Sequence, residues 1–183
     1  MKTGLSVLTV ILAACAARQP LPILGQVPEF QLTAQTGETV ARHSLEGHVW
    51  VADFIFTTCP GPCPRMSSQM RQVQTETAKM SDIKLVSFTV DPDHDTPPVL
   101  AAYAKHFLAE PGRWYFLTGG QTSLDELGRN GFKLNPVDGS LDHSTRFVLV
   151  DRAGQIRGYY SSSDDDFLKV LLRDVRRLEQ EKS

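Results

Sequence analysis

The sequence predicts a single α/β domain, with a β-sheet covered by helices on both faces and a β-hairpin at its N-terminal end. The chain has 183 residues, 41% of them hydrophobic and 22% charged, which suits one globular domain with a proper core. Apolar, β-rich runs alternate with helical patterns, the order that produces a sheet with right-handed crossovers. A net charge of −2 excludes the strongly basic class of nucleic-acid binders.

The first elements form the hairpin and the centre of the sheet. Residues 30–33 and 39–42 flank a Gln-Thr-Gly turn and predict the hairpin. Residues 49–56 (VWVADFIF) form a mostly apolar, β-rich run, typical of a central strand buried on both faces. Residues 65–80 contain helix formers and no Gly or Pro, and residues 83–90 (IKLVSFTV) predict the next strand.

The second half continues the alternation and ends in a helix. Thr96 followed by two prolines predicts a capped helix that extends to residue 109. The remaining predicted elements are a strand over 114–117, a small helix near 123–129, a hairpin of strands 146–150 and 156–160, and an amphipathic helix over 164–180.

The N-terminus has the features of an export signal. One lysine precedes an uncharged run of about 14 residues, which is shorter than the roughly 20 that a membrane-spanning helix needs. The run ends in Leu-Ala-Ala-Cys, which resembles the lipobox of bacterial lipoproteins, with Cys15 as the lipid-modified residue. This resemblance implies a signal peptide over 1–14, a lipidated tether over 15–26 and a folded domain over 27–183. The domain is expected outside the cytoplasm, anchored to a membrane.

The other two cysteines lie in the loop TTCPGPCP that joins the central strand to the first long helix. Functional sites collect at the carboxyl ends of such strands. Because a helix N-terminus favours thiolates, a lowered thiol pKa is expected for Cys59 and Cys63. The spacing allows a disulfide or joint metal binding. A disulfide across so short a loop adds at most about 2 kcal/mol, and structural zinc needs four nitrogen or sulfur ligands.

His143 is the candidate third ligand, because it stands just before strand 146–150. If that strand neighbours strand 49–56, the imidazole comes close to the cysteine loop. Two thiolates and one imidazole match Cu(I) and can also hold Cu(II). Asp91 or Asp142 is expected to orient a ligand by hydrogen bonding. His94 lies in a turn that fails the calcium-loop pattern, and an additional copper contact there is the less favoured interpretation.

These residues carry a family resemblance. The chain resembles the SCO/SenC proteins, thioredoxin-like copper-binding factors of cytochrome c oxidase assembly. The matching segments are 54–64 (FIFTTCPGPCP), 88–97 (FTVDPDHDTP), 142–144 (DHS) and 151–158 (DRAGQIRG). The resemblance implies a thioredoxin-like fold with a central mixed β-sheet. It also implies that Cys59, Cys63 and His143 bind copper.

The expected function is that of an extracytoplasmic copper chaperone rather than an enzyme. The expected partners are the oxidase subunit that carries the CuA site, a thiol reductant or another copper carrier, and a membrane, with no nucleic acid. Two alternatives stay open: a thiol–disulfide oxidoreductase that reduces the cysteines of the oxidase copper site, and a redox or copper sensor. Thioredoxin-like oxidoreductases place a cis-proline before the strand at 146–150, whereas this chain has His-Ser-Thr there.

Overall fold

The computed structural model describes residues 19–134 and 145–181. Within these residues the centre of the fold is one eight-stranded mixed sheet, with strand order β1-β8-β7-β4-β5-β6-β2-β3. Strands β4, β5 and β6 are parallel, and the other pairings are antiparallel. The strands are β1 Gly25–Gln26, β2 Gln31–Ala34, β3 Thr39–Ala41, β4 Val49–Ile55, β5 Ile83–Thr89, β6 Trp114–Thr118, β7 Arg146–Val150 and β8 Gln155–Ser161.

Helices cover both faces of the sheet, as the alternation of elements predicts. The helices are α1 Cys63–Glu76, α2 Pro97–His106, α3 Gln121–Glu126 and α4 Phe167–Gln180. Residues of α1, α2 and α4 share one core cluster, whereas α3 and the π-turn that follows it, Leu127–Gly131, pack in the cluster on the other face. In the part of the chain that the structure describes, no helix has both the length and the apolar character needed to cross a membrane.

The central position of β4 explains its apolar sequence. Val51 and Ile55 pack in the cluster beneath α1, and Trp50 and Phe54 pack in the opposite cluster. All seven residues of the strand are buried. Because successive side chains of a strand point to opposite faces, a strand covered on both sides is apolar along most of its length, and Asp53 is the exception in β4. The prediction of a doubly covered central strand is confirmed.

Several helix ends, and the capping of α2, differ from the sequence prediction. Helix α1 begins at Cys63, two residues earlier than predicted, because a proline near the start of a helix lacks only an N–H that would have no partner there. Helix α2 ends at His106 because Leu108 takes the left-handed conformation, with φ of 55°. Thr96 occupies the N-cap position of α2, but its side chain makes no capping hydrogen bond.

The segment before the hairpin is attached to the sheet. The two residues of β1 pair with β8, and Leu24 N–H donates to the Ile156 carbonyl at 2.8 Å. The guanidinium of Arg157 donates to the carbonyls of Leu21 and Pro22, at 2.6 and 3.2 Å. Residues 19–26 belong to the segment predicted as a tether, and these contacts hold them against the domain. Cys15 lies outside the described residues.

This N-terminal attachment lies at the end of the sheet where β4 begins. Gln26 pairs with Gln155 at the start of β8, next to the turn that joins β7 and β8. The backbone of Gln19 accepts a hydrogen bond from Arg177, near the end of α4. Since β4 and β8 run in the same direction, the attachment and the loop that follows β4 lie at opposite ends of the sheet.

Candidate functional site

The cysteine loop follows β4 directly and leads into α1. The Cys59 N–H donates to the Phe56 carbonyl at 3.3 Å, which closes a tight turn before the loop. Cys63 is the first residue of α1. The two residues are 7% and 2% exposed and carry free thiols. The structure therefore brings the two predicted cysteines together in a nearly buried position.

Burial, rather than the helix terminus, controls the acidity of Cys63. The pKa of this thiol is raised to about 12, chiefly by desolvation and next by the hydrogen bond with the neighbouring side chain of Cys59. Negative charge on Cys59 and on Asp53 acts in the same direction. The expectation of a lowered pKa is wrong for Cys63, because the cost of burying a thiolate exceeds the favourable effect of the helix N-terminus.

A buried carboxyl group lies in the core layer beneath this helix. Asp53 is a β4 residue with 0% exposure. Its Oδ1 accepts a hydrogen bond from Ser87 at 2.6 Å, and Ser87 in turn accepts one from the Trp114 indole at 3.0 Å. Its Oδ2 has no hydrogen-bond partner among the described residues. Burial raises the pKa of Asp53 to about 7, a shift that the Ser87 hydrogen bond opposes. The feature of the sequence that indicates this buried carboxyl is a charged residue inside an otherwise apolar strand.

A buried hydroxyl pair links α1 to α2 in the same layer. The hydroxyls of Ser67 and Tyr103 are 3.0 Å apart. Burial raises the pKa of Tyr103, and negative charge on Cys63 or Asp53 raises it further. The two residues hold the helix that carries Cys63 against α2. Helical spacing alone does not reveal this polar contact, because each residue is isolated in an otherwise ordinary helix pattern.

Asp95 fastens the start of the cysteine loop to the loop between β5 and α2. Its carboxylate is 0% exposed and accepts from the Thr57 N–H at 3.1 Å and from the Thr89 hydroxyl at 2.6 Å. The Thr57 hydroxyl also donates to it. No role for Asp95 follows from the sequence pattern. Its signal is the acidic turn after β5, at the same sheet edge as the cysteine loop.

The other predicted site residues have different outcomes. Asp91 is half-buried, and its backbone N–H donates to the Thr89 hydroxyl at 3.0 Å. Its role in orienting a ligand stays a prediction. His143 and Asp142 lie outside the described residues. Among the residues that are described, no group of three His, Cys, Asp or Glu side chains is arranged to hold a metal ion.

The strand that follows His143 is β7, and it neighbours the central strand β4 as the prediction of a third ligand requires. Strand β7 pairs antiparallel with β4, so its first residues lie at the sheet edge where β4 leads to the cysteines. The Thr145 carbonyl accepts from the Ser162 N–H at 2.8 Å. The Ser162 carbonyl accepts from Gln69 of α1 at 2.9 Å, and its hydroxyl accepts from Arg65 at 3.3 Å. Residue 145 is thus connected through Ser162 to the helix that begins at Cys63.

Comparison with protein families identifies this arrangement. The model of the SCO1/SenC family matches residues 24–178, most of the chain. The chain belongs to the SCO1/SenC family. A SCO1 protein homolog of Bacillus subtilis is 33% identical over 172 residues, which cover 90% of this chain and 89% of the relative. A Stutzerimonas stutzeri protein named as copper-binding is 31% identical over 147 residues, which cover 76% of this chain and 71% of the relative.

Solved structures of SCO1/SenC proteins share the fold. A SCO1/SenC family lipoprotein of Bacillus anthracis has a TM-score of 0.78 and 34% identity, covering 90% of this chain and all of that one. BsSco, a member of the Sco family of cytochrome c oxidase assembly proteins in which a disulfide switch was identified, has a TM-score of 0.78 and 31% identity, with the same coverage. These matches confirm the predicted thioredoxin-like α/β fold.

Proposed function

We propose that this chain is an extracytoplasmic copper chaperone that binds copper through Cys59, Cys63 and His143 and delivers it to the CuA centre of cytochrome c oxidase. Family membership supports this proposal, as do a relative named as copper-binding and the oxidase assembly role of BsSco. The single observation that carries it is the nearly buried pair of free thiols at the carboxyl end of the central strand.

A buried thiol that keeps its proton, as that of Cys63 does, suits metal binding better than a nucleophilic role. The raised pKa of Cys63 keeps its proton in place at neutral pH until a cation compensates the thiolate charge. On copper binding each thiol loses its proton to solvent, and the sulfur donates an electron pair to the metal. Two thiolates select a soft ion, and Cu(I) with two sulfurs and one imidazole is a well-matched combination.

The position of β7 supports His143 as the third ligand. The chain reaches β7 at the edge of the sheet that holds the cysteine loop, and Thr145 follows His143 by two residues. Asp91 and Asp142 are proposed to orient the ligands through hydrogen bonds. Delivery would proceed by ligand exchange, in which thiolates of the CuA site displace the three ligands one at a time. A thiol reductant would keep the cysteines reduced, or another copper carrier would supply the copper.

A lipid at Cys15 is proposed to anchor the protein to a membrane, with the folded domain outside the cytoplasm on the periplasmic side. The Leu-Ala-Ala-Cys motif and the likeness to a Bacillus anthracis family lipoprotein support this part of the proposal. The proposed organisation is a signal peptide over 1–14, a lipidated tether over 15–26, whose residues 19–26 lie against the domain, and the copper-binding domain over 27–183.

The oxidoreductase alternative is less well supported by the site. Reactive cysteines sit in partly exposed positions with lowered pKa values. Here Cys59 and Cys63 are nearly buried, and the pKa of Cys63 is raised. A sensor that signals by disulfide formation would use the same two thiols, so copper binding has to be measured directly.

Titration of the reduced full chain with Cu(I), in detergent and without oxygen, tests the proposal. We expect one tightly bound copper per chain. His143→Ala should weaken binding by at least about tenfold, because even changes to residues that only orient ligands cost 10–100-fold in affinity. Cys63→Ser should abolish tight binding. His106→Ala removes an exposed histidine of α2 and serves as the matched control.

Two results would contradict the copper-binding proposal. One is less than stoichiometric binding by the reduced wild type, and the other is equal affinity of His143→Ala and His106→Ala. Rapid turnover of a peptide disulfide that His143→Ala leaves unchanged would favour the oxidoreductase instead. In cells, the double variant Cys59→Ser, Cys63→Ser should leave the CuA centre without copper.

A further inference from the structure

The loop between β5 and α2 presents an imidazole beside the cysteine loop. The His94 side chain is 51% exposed, while the Asp95 side chain next to it is fully buried. The Nδ1 atom of His94 lies 3.4 Å from the hydroxyl of Thr57, which precedes Cys59 by two residues. This histidine therefore lies at the rim of the proposed copper site.

Asp95 fixes the orientation of this ring. The Nδ1 atom of His94 lies 3.2 Å from Oδ1 of Asp95. A carboxylate only accepts hydrogen bonds, so this contact requires the proton on Nδ1 and leaves Nε2 as the nitrogen that can bind a metal. Metal-ligating histidines typically donate one ring N–H to a carboxylate in this way and bind the metal through the other nitrogen.

The same carboxylate attaches the loop that carries the ring to the start of the cysteine loop. Asp95 accepts hydrogen bonds from both the backbone N–H and the hydroxyl of Thr57. The loop between β5 and α2 is therefore attached to the cysteine loop at Thr57, the residue that His94 also contacts. The Cα atoms of Thr57 and Cys59 are separated by two peptide units and lie within about 7.6 Å of each other. The imidazole contact at Thr57 and the first thiol are thus two residues apart on the same loop.

The burial of the thiols makes an outer ligand useful. Cys59 and Cys63 are 7% and 2% exposed, whereas the His94 side chain is 51% exposed, so the imidazole is more accessible to a copper donor than either sulfur is. A metal that is passed between proteins needs a ligand at each intermediate position, because a copper ion without ligands is lost to competing groups in solution. An imidazole suits this role because it binds copper in either valence.

We propose that His94, through Nε2, is a transfer ligand that holds copper while the ion moves between a partner and the cysteine pair. The inference rests on the proposed copper function and adds a fourth copper-binding residue, which acts in exchange rather than in the resting site. No redox step is involved, because the ion changes ligands and keeps its valence. Asp95 and Thr57 act as positioning residues for this ring.

Other histidines of the described chain lack this arrangement. His106 is exposed near the end of α2 and packs edge-on against the ring of Phe107. In the described ranges it has no carboxylate partner. It therefore offers a matched control, with the same chemical group and comparable access to solvent but no carboxylate to orient it.

Stopped-flow transfer of Cu(I) from a chromophoric chelator complex to the reduced full chain tests the proposal. We expect His94→Ala to slow transfer by about tenfold, the lower end of the effect seen when metal sites lose an orienting or auxiliary group. His106→Ala should transfer at the wild-type rate. His94→Gln keeps a side chain able to hydrogen-bond Asp95 but has no imidazole lone pair, so it should be as slow as His94→Ala. Free imidazole added to His94→Ala should restore the rate.

The outcomes separate this inference from the copper-binding proposal. Failure of the wild type to bind copper would refute both. Stoichiometric binding by the wild type together with equal transfer rates for His94→Ala and His106→Ala would refute the transfer ligand alone. A wild-type rate in His94→Gln, or a slow rate in His94→Ala that imidazole does not restore, would show a structural role and would also overturn the inference.

Discussion

Asp53→Asn is a direct test of how the protein carries a carboxyl group in its core. The side chain is fully buried, and one of its oxygens has no hydrogen-bond partner among the described residues. Burial raises the pKa of Asp53 to about 7, from 3.8 for an unburied aspartate. Asparagine keeps an oxygen that can accept from Ser87 but does not titrate. The variant should therefore remove one pH dependence and leave the packing nearly unchanged.

The sign and size of the effect follow from the two pKa values. Below about pH 4 the carboxyl is protonated in both the folded and the unfolded chain, so its full contribution to stability is present. Between about pH 4 and pH 7 the unfolded chain loses the proton while the folded chain keeps it, and the free energy of unfolding falls. One pKa unit corresponds to about 1.4 kcal/mol, so the loss at pH 7 is on the order of 4 kcal/mol.

Urea denaturation at several pH values measures this effect as the difference between wild type and variant. The unpartnered amide of asparagine costs about 1–3 kcal/mol at every pH. We therefore expect Asp53→Asn to be the less stable protein at pH 4. Because the unfolded carboxyl is already partly ionised at pH 4, the stability of the variant relative to wild type should rise by about 3 kcal/mol between pH 4 and pH 7. Asp165→Asn, at an exposed position before α4, is the control. A difference that stays constant from pH 4 to pH 7 would refute the protonated state of Asp53 in the folded protein.

Two further predictions concern the attachment of the N-terminal segment and the acidity of the thiols. Arg157→Met leaves the nearly buried Asp151 without its cation at 2.7 Å, and should lower the free energy of unfolding by about 3–5 kcal/mol in urea. Arg176→Met, which removes an exposed ion pair with Glu76, should have little effect on the free energy of unfolding. Equal losses of stability in the two variants would contradict this account. Because the pKa of Cys63 is about 12, iodoacetamide at pH 8 should alkylate it at least about tenfold more slowly in the native chain than in urea, as mass spectrometry can measure. Equal rates would show that burial does not protect the thiol.

The hydrophobic pattern was sufficient to predict the main elements of the fold. The apolar run at residues 49–56 predicts a doubly covered strand, and β4 is that strand. The helical spacing of Met66 and Met70 in the sequence indicates core residues, and both side chains are fully buried in the structure. Strand β1 was not predictable from pattern, because two residues carry no periodicity and its pairing with β8 depends on a contact distant in sequence.

The candidate site was predictable in its chemistry but not in its electrostatics. The four-residue spacing of Cys59 and Cys63 identifies the pair, and the structure brings the two residues together. The pKa of Cys63 depends on how deeply the packed core covers the sulfur, which no local pattern reveals. The partners of Asp95 were equally hidden, since Thr57 and Thr89 come from two different strand ends that meet only in the folded sheet.

The position of the N-terminal attachment determines how far the proposed copper site can reach. Residue 19 lies at the end of the sheet where β4 begins, and the cysteines follow the other end of this strand, whose seven residues span about 20 Å. Between Cys15 and residue 19 the chain can extend by no more than about 14 Å. A lipid at Cys15 would therefore hold the domain close to the membrane. The proposed copper site would lie on the side of the domain remote from the N-terminal attachment. A recipient copper centre would have to stand well clear of the bilayer, in an extramembrane domain.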